Sequence, residues 1–200
     1  MVNKIVKKMN TQPIILASRS PRRVELLKQI GLECMTMPAD IDESVLAGEA
    51  PKDYVQRVAR QKVIEIAKGL KSEYANLAVL AADTTVAING EILGKPIDDR
   101  DAFNMLSKLS GSKHAVYTAV AISVKGKVKV VLSSTMVEMM PLTDAMINAY
   151  IATGEPTDKA GSYAIQGKAG AWIKRIEGSY TGVMGLPLFE TAELLQDMNK

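Results

Sequence analysis

Apolar residues recur along the chain in two rhythms, short continuous runs and stretches stepping by three or four, and the two alternate. The run Pro13–Ser18 (PIILAS) predicts a short strand. A helix over Pro21–Ile30 follows, with Ser20 as N-cap, Pro21 in the first helical position and Gly31 as terminator. Leu32–Met37 predicts a second strand leading into an acidic loop over Ala39–Ala50, and Pro51 opens a long helix ending near Gly69. The uninterrupted segment Leu77–Ala82 (LAVLAA) suits a central strand buried on both faces. Thr84–Ile88 and Glu91–Leu93, on either side of Asn89-Gly90, predict a hairpin with a type I′ turn. Further on, Asp98–Leu109 is an amphipathic helix, and two β-rich stretches, Ala115–Val124 and Val128–Met139, flank a Lys-Gly-Lys turn. Thr143–Ala152 predicts a helix, Ala171–Ile176 a strand and Pro187–Met198 a closing helix. Strands interleaved with helices, plus hairpins, predict an α/β fold on a mixed sheet.

The composition, 47% apolar and 24% charged, is that of a globular chain. Its 200 residues suit one large domain or two lobes sharing a core, expected as a single unit over 13–200 behind a short arm at 1–12. Cys34 is the sole cysteine, which excludes an internal disulfide or a CxxC metal or redox motif; its apolar setting reads as core. The net charge of +3 equals the contribution of Lys4, Lys7 and Lys8, and beyond them acids and bases balance. A nucleic-acid partner, which would need a basic footprint across the fold, is therefore not expected. No apolar stretch approaches the roughly 20 residues of a membrane span, and no apolar segment of signal-peptide type follows the N-terminal lysines. The expectation is a cytoplasmic protein without a membrane partner.

Candidate chemistry begins at Ser18-Arg19-Ser20-Pro21-Arg22-Arg23. Three arginines crowd a helix start, where the macrodipole is already positive and cations are unfavourable by about 0.3–1 kcal/mol each. An anion such as phosphate would satisfy them and the bare N–H groups together; the alternative is arginines in solvent or paired with Glu25 and its neighbours. Lys62 interrupts the apolar stripe of Tyr54, Val58 and Ile66. On spacing alone such a lysine snorkels outward; the alternative is a point charge aimed at a buried phosphate. Asp83 follows LAVLAA directly, at the expected carboxyl end of the central strand, where open α/β sheets bind ligands. It either holds a metal or a water there, or merely opens a turn with Thr84 and Thr85. Asp40, Asp42 and Glu43 form an acidic loop that is either solvated or a metal-ligand donor. The sole histidine, His114, reads as structural. Gly90-x-x-x-Gly94-Lys95 is one residue short of a phosphate loop and is followed by proline, and no GxGxxG fingerprint occurs.

Six segments in order, Ile14–Leu27 (IILASRSPRRVELL), Ala81–Ile88 (AADTTVAI), Gly94–Pro96 (GKP), Leu109–Val120 (LSGSKHAVYTAV), Glu155–Gly167 (EPTDKAGSYAIQG) and Gly178–Pro187 (GSYTGVMGLP), resemble the Maf family of nucleotide pyrophosphatases. The resemblance implies two lobes around a cleft on a mixed sheet, in an inosine triphosphate pyrophosphatase-like fold. It implies cleavage of a nucleoside triphosphate to monophosphate and pyrophosphate with a divalent cation, Mg²⁺ or Mn²⁺, and makes a homodimer the assembly to expect. By the same resemblance Ser18, Arg22, Lys62 and Lys95 bind phosphate, Glu43 and Asp83 hold the metal, and Asp83 is catalytic. Asp158–Gly167 resembles the branch acting on dTTP and UTP, with Arg22, Thr84 and Gln166 setting base choice. The glutamine amide offers the donor and acceptor that a pyrimidine edge requires. Nucleotide-pool sanitation and restraint of division are the cellular roles implied. A non-catalytic nucleotide-binding regulator of septum formation is the alternative.

Overall fold

The computed structural model describes residues 13–198, and the arm expected over 1–12 lies outside them. The chain runs β1 (Ile14–Leu16), α1 (Pro21–Gln29), β2 (Cys34–Thr36), α2 (Pro51–Lys68), β3 (Val79–Ile88), β4 (Glu91–Leu93) and α3 (Asp99–Leu109). It continues through β5 (Lys113–Val124), β6 (Lys127–Met139), α4 (Asp144–Ile151), β7 (Ile173–Glu177), α5 (Tyr180–Met184) and α6 (Leu188–Met198). Seven strands form one mixed sheet in the order β2-β1-β3-β5-β6-β7, with β4 also on β3. β1 is parallel to β2 and β3, and the remaining pairs are antiparallel. Asn89-Gly90 and Lys125-Gly126 turn the two hairpins with positive φ at both residues, as the type I′ geometry requires.

Alternation along the strands separates the two faces. Val79, Ala81, Ala119 and Ala121 pack under Val55, Ala59 and Val63 of α2. Leu80, Ala82, Val120 and Ile122 pack against Leu26 and Leu27 of α1 and Leu194 and Leu195 of α6. Beyond these, Val86 and Val116 continue into a third core with Leu106 of α3 and Ile147 of α4. The long central strands thus carry two lobes. α3 is capped by Asp98, whose carboxylate accepts from the Asp101 N–H at 2.7 Å, and α4 by Thr143.

The main departure from the sequence expectation is β3. The apolar run and the first hairpin strand are one ten-residue strand, so Asp83 lies in its middle and not at its carboxyl end. On β3, β1 pairs only with Val79 and Leu80 and β4 only with Val86–Ile88, while β5 occupies the other edge from Val79 to Ala87. Between β1 and β4 the stretch 81–85 therefore has one open edge. Asp83 lies just past the end of the parallel segment that β3 shares with β1. Cys34, expected in the core, is only partly buried on the short strand β2. The helix α5 was not apparent from the apolar pattern; Ser179 caps it by accepting from the Gly182 N–H at 3.0 Å.

Candidate functional site

A cleft of about 480 Å³ opens along the free stretch of β3, lined from both lobes. Ser18, Arg22, Glu43, Lys62, Asp83, Thr84, Lys95 and Gln166 all line it, so the structure brings these sequence-predicted residues to one place, while Asp40 and Asp42 of the acidic loop do not line it.

Asp83 and Lys62 form its floor. Asp83 shares its strand face with Ala81, which directs it toward α2, and Lys62 stands on the buried stripe of that helix. Lys62 is 8% exposed and Asp83 6%, so the lysine points inward and does not snorkel. Its ammonium donates to Asp83 Oδ1 at 2.8 Å and lies 3.0 Å from Glu43 Oε1. Burial pushes the Asp83 carboxyl above the ordinary aspartate range, and the charges of Lys62 and Arg23 offset part of that rise.

Glu43 comes from the acidic loop, which α2 pins in place. Tyr54 Oη donates to the Glu43 carbonyl at 3.0 Å, and Arg57 donates to the Ser44 carbonyl at 2.9 Å while pairing with both Glu49 oxygens. That pairing draws the Glu49 carboxyl down to about 2. Burial and the nearby Asp83 and Glu43 charges push the Tyr54 hydroxyl up to about 12. Asp42, which does not line the cleft, accepts from the Ser44 N–H at 2.8 Å.

The three arginines at the start of α1 diverge. Arg19 is exposed at the rim, and Arg22 reaches across the cleft to Asp158 at 3.5 Å. Arg23 turns inward and donates to Gly185 O at 2.8 Å, Ser18 Oγ at 3.1 Å and Thr84 Oγ1 at 3.4 Å. Ser20 is the N-cap residue by position, yet its side chain makes no cap bond. Its N–H instead donates to Ser18 Oγ at 3.1 Å. Arg23 and Ser18 thus tie the start of α1 together from inside.

On the far lobe, Lys95 is exposed beside Gly94, whose carbonyl accepts from the Gly161 N–H at 3.0 Å. Gly161 has φ +67°, and a Cβ there would sit 2.8 Å from Val86 Cγ2. Only glycine lets this segment lie so close to β3. Gln166 is exposed on the cleft wall, and Glu155 anchors the following turn by accepting from the Lys168 N–H and from Tyr150 Oη. Tyr163, on the same segment, hydrogen-bonds His114 Nε2 at 2.8 Å. His114 is buried, consistent with its structural reading, and burial lowers its pKa to about 4.

The sequence placed Arg23 in the arginine cluster without giving it a role of its own, and it did not single out Thr118 or Tyr163. Arg23 left a usable signal: it stands three and four residues before the buried Leu26 and Leu27, hence on the inward face of α1. The Asp83 and Glu43 carboxylates converge on one cationic position, and carboxylate oxygens are the donors that Mg²⁺ or Mn²⁺ prefers. Among the described residues no group of three or more metal-ligating side chains exists. A divalent ion here would therefore complete its shell with substrate oxygens and water. The same residues hold a cation-rich cleft over a buried carboxylate, which suits a polyanion attacked by water.

The sequence profile of the family described as Maf-like protein matches residues 13–198. A dTTP/UTP pyrophosphatase of Methylobacillus flagellatus is 53% identical over 189 residues, covering 94% of each chain. One from Nitrosomonas europaea is 51% identical over 193 residues, covering 92% of this chain and 93% of its own. One from Neisseria meningitidis is 45% identical over 193 residues, covering 95% of both. Among solved structures, the Staphylococcus aureus Ham1 protein overlaps 64% of this chain and 72% of its own at 19% identity, with a TM-score of 0.48.

Proposed function

The chain belongs to the Maf-like protein family, and from that premise we propose that it hydrolyses dTTP and UTP to the nucleoside monophosphate and pyrophosphate. The observation that carries this reading is the buried Asp83–Lys62 pair, with Glu43 beside it, at the floor of a cleft walled by basic side chains. Relatives named dTTP/UTP pyrophosphatase over nearly their whole length support the substrate class.

In this mechanism Lys62, Lys95, Arg22 and the Ser18 hydroxyl hold the triphosphate. Glu43 and Asp83 would hold Mg²⁺ or Mn²⁺, which when bound supplies charge neutralisation at the phosphate oxygens. Asp83 orients a water and accepts its proton as the water oxygen bonds to the α-phosphorus. The bond from that phosphorus to the bridging oxygen breaks, and pyrophosphate leaves with the electron pair. An upward-shifted carboxyl makes Asp83 a better proton acceptor than an ordinary aspartate. Positioning and charge neutralisation carry most of the rate, as in other phosphoryl chemistry. Gln166, Thr84 and Arg22 read the base.

A soluble nucleotide substrate fits a cytoplasmic setting, and no described helix is long and apolar enough to cross a membrane. The test is pyrophosphate release from dTTP, UTP, CTP and GTP, with Mg²⁺ or Mn²⁺ and with chelator. Release from dTTP and UTP with metal is expected; tight dTTP binding without release would establish the regulator instead.

A further inference from the structure

The hydroxyl of Thr84 is wired so that only one kind of group can meet it from the cleft. Thr118, directly across on β5, donates its single hydroxyl proton to the Gly182 carbonyl at 2.7 Å. That carbonyl can only accept, so the direction of this bond is certain. Thr118 Oγ1 and Thr84 Oγ1 lie 3.0 Å apart, and Thr118 has no proton left to give. Thr84 must therefore donate its own proton to Thr118. On its other side Thr84 accepts from Arg23 Nη2 at 3.4 Å. The proton of Thr84 is committed and one of its two lone pairs is taken. What remains for the cleft, which Thr84 lines, is one lone pair.

We infer that Thr118 and Arg23 are positioning residues that make Thr84 an obligate acceptor toward the base, so the site selects rings bearing an N–H over rings with a bare nitrogen. The inference rests on the nucleotide-hydrolysing reading of the same cleft and deepens it. Uracil and thymine carry an N–H at ring position 3, between two carbonyls, and can donate to Thr84. Cytosine has a lone pair at that position, which would face the Thr84 lone pair directly. Thr118 is buried, does not line the cleft, and lies opposite Thr84 on its strand face and not on that of Asp83, so its hydroxyl acts toward the substrate through Thr84. Gly182 belongs to the short helix α5, where its N–H donates to Ser179 Oγ at 3.0 Å and its carbonyl also accepts from the Gly185 N–H at 3.0 Å, which keeps that carbonyl in place.

The test compares kcat/KM for UTP and CTP in the wild type, Thr118→Val and Thr118→Ser. The wild type should favour UTP. In Thr118→Val the Thr84 proton is released and can rotate toward the base, so the UTP:CTP ratio should fall roughly tenfold, the scale of one net hydrogen bond. Thr118→Ser restores the donor to Gly182 and should restore the ratio. Thr118→Ala makes the same deletion with a smaller side chain, should the buried valine prevent folding. A purely structural role would lower Tm and the rates for both nucleotides together, leaving the ratio unchanged, and that result overturns the inference. Absence of UTP hydrolysis in the wild type would instead overturn the functional reading beneath it.

Discussion

Lys62 Nζ and Asp83 Oδ1 meet at 2.8 Å beneath the cleft, although one side chain comes from a helix and the other from the middle of the central strand. The contact has two consequences. The lysine keeps Asp83 more acidic than burial alone would, and it presents a fixed positive charge to whatever anion enters.

Removing that charge separates the two. Lys62→Ala should cut turnover roughly 100-fold, as the loss of one preorganised electrostatic contact does. The residual activity should show its acid limb displaced to higher pH, because Asp83 loses the larger of the charges holding its pKa down. A pH profile of kcat/KM checks this; a fully active variant with an unmoved profile would show that Lys62 faces the solvent in solution.

Base choice gives a second expectation. Gln166→Glu replaces an amide donor with a further acceptor and a charge. The kcat/KM values for dTTP and UTP should fall together, on the order of tenfold for each lost hydrogen bond, with a smaller effect on poor substrates such as GTP. Equal losses for every nucleotide would assign Gln166 to the phosphates or the fold.

Gly161 tests how the far wall is held. Gly161→Ala adds a methyl group 2.8 Å from Val86 Cγ2 at a φ of +67°. The expected cost is about 1–3 kcal/mol in stability, with a raised KM for dTTP as the segment bearing Gln166 lifts from β3. Chemical denaturation and steady-state kinetics check it, and an unchanged midpoint and KM would contradict the packing described.

His114 sets a pH dependence of stability. Its folded pKa of about 4 lies below the unfolded value near 6.5, so between these values the unfolded chain binds the extra proton. Stability conferred by the neutral imidazole is complete above pH 6.5 and is lost as pH falls toward 4. The loss is of the order of 3 kcal/mol at most, by the linkage between pKa shift and stability. His114→Gln should flatten this part of the curve relative to wild type in urea midpoints measured between pH 7 and 4. Parallel curves would mean that His114 is not buried neutral.

Much of the site was legible in the chain, and the exceptions have physical causes. Lys62 stood out by interrupting an apolar stripe, but spacing within one helix could not show its direction, because the deciding partner, Asp83, is 21 residues away. The run Asp83-Thr84-Thr85 reads as the end of a strand because its polarity breaks the apolar pattern. It remains strand because Asp83 and Thr84 face the cleft from opposite sides of the chain, and β5 pairs with the whole stretch. The arginine cluster announced an anion site as a group, whereas helical period alone separates the inward Arg23 from Arg22 at the cleft. Thr118 carried no signal: a threonine alternating with Val116 and Val120 is ordinary strand, and its role depends on a carbonyl 64 residues away.

In the proposed mechanism, turnover of the bound triphosphate depends on Asp83. Pyrophosphate and dTMP formation from dTTP should be measured in the wild type and in Asp83→Asn, alongside dTTP binding and circular dichroism. A folded variant that still binds dTTP is expected, with turnover lower by at least roughly 100-fold, the contribution of a positioned proton acceptor. Near-normal turnover in a folded Asp83→Asn protein would contradict this mechanism.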